Sequence, residues 1–211
     1  MMTVVILSAL CIGAYLIGSI PTAYLAGRIL KGIDIRDHGS GNVGATNVMR
    51  VLGTPAGIAT LVIDLLKGYV AVRFLVPVVR PAGGDLQVWN IAACIAVVAG
   101  HNWMLFLRFT GGKGVATTAG AFLAMMPCVI LSAFVIFAAT VAITRYVSLG
   151  SILAGISIPV FVLAYYDRPG VYLWFSIALT AALVLKHRAN IVRLAAGTEK
   201  KLGSRTERVD R

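Results

Sequence analysis

The chain is short of charge, and of negative charge most of all. Only 13% of its 211 residues are charged, and 8 acids face 19 lysines and arginines. With 59% apolar residues and a mean hydropathy of +0.88, this composition excludes an ordinary soluble domain. Cysteine is scarce too. Cys11, Cys94 and Cys128 each lie inside an apolar run, at spacings that suit neither a zinc site nor a disulfide framework. They read as small buried hydrophobes. No basic segment precedes the first apolar run, no small-residue cleavage site follows it, and it is too long for a signal-peptide core, so it is expected to remain as the first span. The three histidines, His38, His101 and His187, form no Ser-His-Asp arrangement visible in the sequence. None heads an H-x-x-x-x-D motif, because Val43, Phe106 and Val192 stand five residues after them.

What the chain does have is long apolar runs. A bilayer crossing takes roughly 20 apolar residues as helix, and candidates are 3–26, 55–79, 88–107, 149–165 and 171–185. The last two are separated by the turn signal Asp167-Arg168-Pro169-Gly170. A further run, 115–143, carries Pro127 near its middle and is expected to break there into two short helices. If the loop after the first span is cytoplasmic, the basic residues from Arg28 to Arg50, Arg108, Lys113, Arg145 and the tail from Lys186 to Arg211 share one side. Arg80 and Arg168 then lie outside, with Lys67 and Arg73 in a span, which obeys the positive-inside rule. The expectation is an all-α, polytopic transmembrane helix bundle of seven spans, or five if short segments merge. Residues 1–200 would form one membrane domain and 201–211 a variable basic tail. The surplus of positive charge serves topology and anionic lipid, and no nucleic-acid partner is expected.

Three polar, glycine-bearing segments interrupt the runs. The first spans 36–50. Its glycines can turn successive N–H groups toward one point, and Ser40 and Arg50 add a hydroxyl and a planar fork suited to phosphate. Residues 39–44 match G-x-G-x-x-G, but a membrane helix rather than a strand precedes them, which rules out a Rossmann site. The second is Gly100-His101-Asn102-Trp103 followed by Gly111-Gly112-Lys113-Gly114, a turn that opens a helix and places an ammonium at its positive end. It is not a Walker A loop, since Leu107 and Gly114 stand where that motif needs Gly and Ser or Thr. The third, 186–199, sets His187 and Asn190, and Asn190 and Arg193, at helical i, i+3 spacing. Within the 55–79 run, Asp64 and Lys67 are close enough to pair; charges at that depth face a bundle interior.

Taken together, Gly18-Ser19-Ile20-Pro21, the Gly39 to Arg50 loop, Ile63-Asp64-Leu65-Leu66-Lys67-Gly68, Gly100 to Trp103 with Gly111 to Thr117, and Lys186 to Glu199 resemble the motifs of the PlsY family. These are bacterial acyl-phosphate:glycerol-3-phosphate acyltransferases, and the strings follow the family's order over most of the chain. Met104 departs from a common proline, and Thr110 from a common lysine. The resemblance implies an enzyme of the bacterial inner membrane, multi-pass and monomeric, with its active-site loops on the cytoplasmic face and with no metal or cofactor. It would transfer a fatty acyl group from acyl phosphate to the 1-hydroxyl of glycerol 3-phosphate, giving lysophosphatidic acid, among membrane lipid. It implies that Ser40, Arg50, Lys113, His187 and Asn190 hold glycerol 3-phosphate, and that the Gly111, Gly112 and Gly114 turn holds the acyl-phosphate head. Lys113, His187, Ser40 and Arg50 are then the candidate catalytic groups. Asn190, the three glycines, Asn42, Asn47, His101 and Asn102 are the candidate substrate contacts. A transporter for an organic phosphate is the alternative, since basic cavities also serve transport.

Overall fold

The structure is a computed structural model that describes residues 1–80, 84–167 and 170–204. Arg168 and Pro169 of the expected turn, and the tail from Arg205, lie outside the described residues. Every regular element among the described residues is helical. The chain packs as two compact units that divide at Met125 and Met126, just before Pro127.

The first unit begins with α1 (Met2–Gly18) and α2 (Thr22–Lys31). The 3–26 run, expected as one span, lies within the single apolar stretch 2–31, whose helix is interrupted at Ser19–Pro21 because Pro21 has no N–H to continue the ladder. Gly32, left-handed at φ +67°, ends α2. After a polar loop come α3 (Ala45–Leu52) and α4 (Thr54–Val70), then a π-helical turn, Ala71–Leu75, and α5 (Val76–Val79). The 55–79 run is thus one apolar path with a wide turn inside it. Then follow α6 (Leu86–Asn102), a short turn, and α7 (Val115–Met125).

Two close seams hold this unit. At the crossing of α1 and α6, a Cβ on Gly18 would overlap the Val97 carbonyl, and one on Gly100 would overlap that of Tyr15. At the crossing of α4 and α7, Gly68 meets the Thr117 carbonyl and Gly120 that of Leu65 in the same way. In lipid, helices associate through such small-residue contacts because the hydrophobic effect gives no net pull between them. Beneath the polar loops lies an apolar plug of Ala23, Ile35, Val43, Val48, Met104 and Leu107.

The second unit holds α8 (Pro127–Thr144), α9 (Val147–Tyr165), α10 (Gly170–Lys186) and α11 (Arg188–Ala195). The break expected at Pro127 is present, with Pro127 as the first residue of α8, where its missing N–H is no loss. α9 packs against both α8 and α10, and Thr180 Oγ1 donates to the Gly155 carbonyl across the second of these contacts. The segment after α11 returns to the α8–α9 turn. Arg145 accepts from Leu202 N–H at 2.7 Å and donates through Nη2 to the Leu202 carbonyl at 2.8 Å.

By length and composition, four stretches among the described residues are apolar enough to cross a membrane: 2–31, 86–107, 127–144 and 147–165. The bent pair α10 and α11 makes a fifth. α4 has 17 residues and α7 has 11, which is why they fall below this length and why seven spans requires counting short helices.

Candidate active site

The polar loop between α2 and α3 is built on Asn47, only 1% exposed. Its Oδ1 accepts the Ser40 N–H at 2.8 Å, and its Nδ2 donates to the carbonyls of Ile35 (3.2 Å) and His38 (3.0 Å). A buried amide with three backbone partners is a loop-shaping group, so in this conformation Asn47 supports the site rather than presenting itself to a substrate. The Ser40 side chain is exposed, and Asn42 is half-buried with its amide nitrogen over Gly44. Arg50 is half-buried in the last turn of α3, one turn beyond Asn47.

A second knot anchors the loop's start. Asp34 accepts from Arg36 N–H, Nε and Nη2, the last at 2.6 Å, with Arg28 Nη2 at 3.8 Å. The hydrogen-bonded Arg36 guanidinium outweighs burial and holds the Asp34 carboxyl below the usual carboxylate range. Both guanidiniums also stand over the Tyr24 ring, at 5.2 and 5.5 Å from its centre.

The Gly111–Gly114 turn closes back onto the end of α6. Gly112 N–H donates to the His101 carbonyl at 3.0 Å, and a Cβ on Gly112 would overlap His101 Nε2 and approach the Val43 carbonyl to 2.9 Å. Only glycine fits there, and the two glycine-rich loops therefore abut. Gly114, at φ +79°, lies against the Asn102 side chain, whose buried Oδ1 accepts no hydrogen bond among the described residues. Lys113 is half-buried between these glycines, at the N-terminus of α7. Ser40, Asn42, Asn47, Arg50, His101, Asn102 and the 111–114 turn all belong to the first unit, where the two loops meet at Val43 and Gly112.

His187 and Asn190 belong to the second unit. His187 is buried at the bend between α10 and α11, with Nδ1 2.8 Å from the Leu183 carbonyl. A carbonyl only accepts, so Nδ1 carries a proton. Asn190 Nδ2 donates to Glu199 Oε1 at 2.7 Å; Ser148 Oγ donates to the same oxygen at 2.8 Å, and Arg193 Nε to Oε2 at 2.7 Å. Burial alone would raise the Glu199 carboxyl, but these three donors and the Arg193 charge hold it below its ordinary value. Sequence reasoning gave neither Glu199 nor Ser148 a role. The available signal was that Glu199 is the one acid between Lys186 and Arg205.

A family profile described as "Glycerol-3-phosphate acyltransferase" matches residues 8–197. The chain is 51% identical to glycerol-3-phosphate acyltransferase 2 of Moorella thermoacetica, over 92% of this chain and 96% of that protein. It is 45% identical to the glycerol-3-phosphate acyltransferase of Clostridioides difficile, over 92% and 94%. Among solved structures it is similar to PlsY, an integral membrane glycerol 3-phosphate acyltransferase. The glycerol 3-phosphate form matches with a TM-score of 0.81 and 39% identity, over 93% of this chain and 96% of that one. The lysophosphatidic acid form matches with 0.81 and 38%, over 93% and 95%.

Proposed function

The chain belongs to the glycerol-3-phosphate acyltransferase family, and on that premise we propose that it passes a fatty acyl group from acyl phosphate to the 1-hydroxyl of glycerol 3-phosphate. The hydroxyl oxygen bonds to the acyl carbon, the carbon–oxygen bond to phosphate breaks, and lysophosphatidic acid and inorganic phosphate leave. Both substrates carry phosphate. The observation that carries the reading is the meeting of two glycine-rich loops, Val43 against Gly112, the first leading from Ser40 into the helix that carries Arg50 and the second carrying Lys113. Two anion sites at the ends of apolar helices suit one water-soluble phosphate and one that trails an acyl chain.

Acyl phosphate is a mixed anhydride with a good leaving group, so the protein's task is chiefly positioning and charge stabilisation. Lys113 and the N–H groups of the 111–114 turn neutralise phosphate, and Ser40 and Arg50 hold glycerol 3-phosphate. The hydroxyl proton passes to the donor's own phosphate. The basic flanks support a bacterial inner-membrane setting with these loops on the cytoplasmic face.

Purified protein reconstituted in vesicles with labelled glycerol 3-phosphate and palmitoyl phosphate is expected to yield labelled lysophosphatidic acid. Vesicle uptake of label without acylation would support transport instead, and no product at all would overturn the proposal.

A further inference from the structure

Two charged residues of α4 stand outside this scheme. Asp64 and Lys67 are 2% and 4% exposed, one helical turn apart. Lys67 Nζ donates to Asp64 Oδ1 at 2.6 Å and to the Ile20 carbonyl, in the α1–α2 break, at 2.5 Å. A buried ion pair that does nothing else is often replaceable by hydrocarbon without loss. This pair has a third party. Asp64 Oδ1 also faces His101 Nδ1 at 3.8 Å, with both side chains almost fully buried.

His101 is the residue on which the 111–114 turn rests. Its carbonyl receives the Gly112 N–H, and its Nε2 occupies the space that a Gly112 side chain would need. The imidazole therefore stands between a carboxylate of α4 and the backbone of the glycine turn. At 3.8 Å the carboxylate makes no direct hydrogen bond to Nδ1; it bears on the ring as a packed, charged neighbour that limits where the imidazole can sit. Lys67 fixes the carboxylate in turn, by tying it to the Ile20 carbonyl in the break between α1 and α2, which also accepts the Thr22 N–H at 3.0 Å. The same break reaches α6 through Ser19, whose Oγ lies 3.4 Å from both the Gly100 carbonyl and the Leu105 N–H.

We propose that Asp64 and Lys67 are positioning residues: the pair holds His101 against Gly112 and so sets the geometry in which the 111–114 turn receives a substrate phosphate. The inference rests on the reading of that turn as a phosphate site. It predicts that binding at the turn depends on a charge pair inside the membrane domain that never touches substrate.

The test is the charge-neutral double variant Asp64→Asn/Lys67→Met, assayed in the purified full-length enzyme beside Gly112→Ala. A pair needed only for packing would leave a folded neutral variant with wild-type kinetics. The expected result is a melting temperature near wild type, with the apparent KM raised about tenfold or more for the same phosphate substrate that Gly112→Ala affects, and kcat changed far less. Adding His101→Ala to the neutral background should cause no further rise in KM, although His101→Ala alone raises it, because all three act through one contact. Wild-type KM in the folded double variant, or a His101→Ala effect that multiplies in full, would overturn the inference. Should the double variant not fold, Asp64→Glu keeps the charge and moves the carboxylate: a raised KM for that substrate supports the inference, and an unchanged one overturns it. Wild-type enzyme that makes no lysophosphatidic acid overturns the functional reading itself, an outcome distinct from all of these.

Discussion

Replacing Glu199 by alanine removes the acceptor on which the end of the second unit is organised. Ser148 and Asn190 are both buried, and each donates to Oε1 at under 3 Å. Hydrogen bonds to a charged group contribute about 1.5–3 kcal/mol each, so losing two of them costs roughly 3–6 kcal/mol. The Arg193 head is 42% exposed, and water replaces most of what it loses, so it adds little. For a chain of this size each kcal/mol moves the midpoint by about 2–4 °C, so Glu199→Ala should melt roughly 6–24 °C below wild type. Thermal unfolding of the purified protein in detergent, followed by circular dichroism, measures this directly. The sign with pH follows from the depressed carboxyl. Its folded-state pKa lies below the unfolded value, so its contribution is complete above the ordinary carboxylate range, about pH 4.3, and is lost as pH falls through the folded value. Acidification should therefore lower the wild-type midpoint more steeply than that of Glu199→Gln. A Glu199→Ala midpoint within about 2 °C of wild type would show that the three donors find other partners and would refute the reasoning.

At the proposed phosphate turn, Lys113→Ala should lower turnover severely while membrane insertion, measured by membrane fractionation, is unchanged. Arginine there should rescue poorly, because a planar fork does not replace a compact ammonium, and near-wild-type turnover in Lys113→Ala would remove Lys113 from the site. Ser40→Ala and Arg50→Ala should raise the apparent KM for glycerol 3-phosphate more than that for the acyl donor. A charge-assisted contact predicts an increase of roughly 10- to 150-fold, and equal effects on both substrates would mean that the loop had collapsed. Palmitoyl-CoA should not replace palmitoyl phosphate in product assays, since a thioester lacks the phosphate proposed to take the proton; robust acylation from it would sink that step.

The membrane character, the division at Pro127 and the three polar segments were all legible along the chain, because each follows from local composition. An apolar run must satisfy its own backbone in lipid, a proline removes a ladder donor, and glycine clusters stay out of helix interiors. Charge at Asp64 and Lys67 likewise announced a pair, since i, i+3 spacing is itself a local geometry. Tertiary structure decided which polar residues build the loops and which are left to meet a substrate. Asn47 and Ser40 look alike as phosphate-loop residues in sequence, yet the fold buries the Asn47 amide among three backbone groups and leaves the Ser40 side chain exposed. Glu199 reads as one acid in a basic tail until α11 bends it toward Ser148. The contact of Asp64 with His101, and of His101 with Gly112, depends on where α4, α6 and the turn before α7 cross. Burial and long-range pairing are properties of the packed chain, and no local periodicity encodes them.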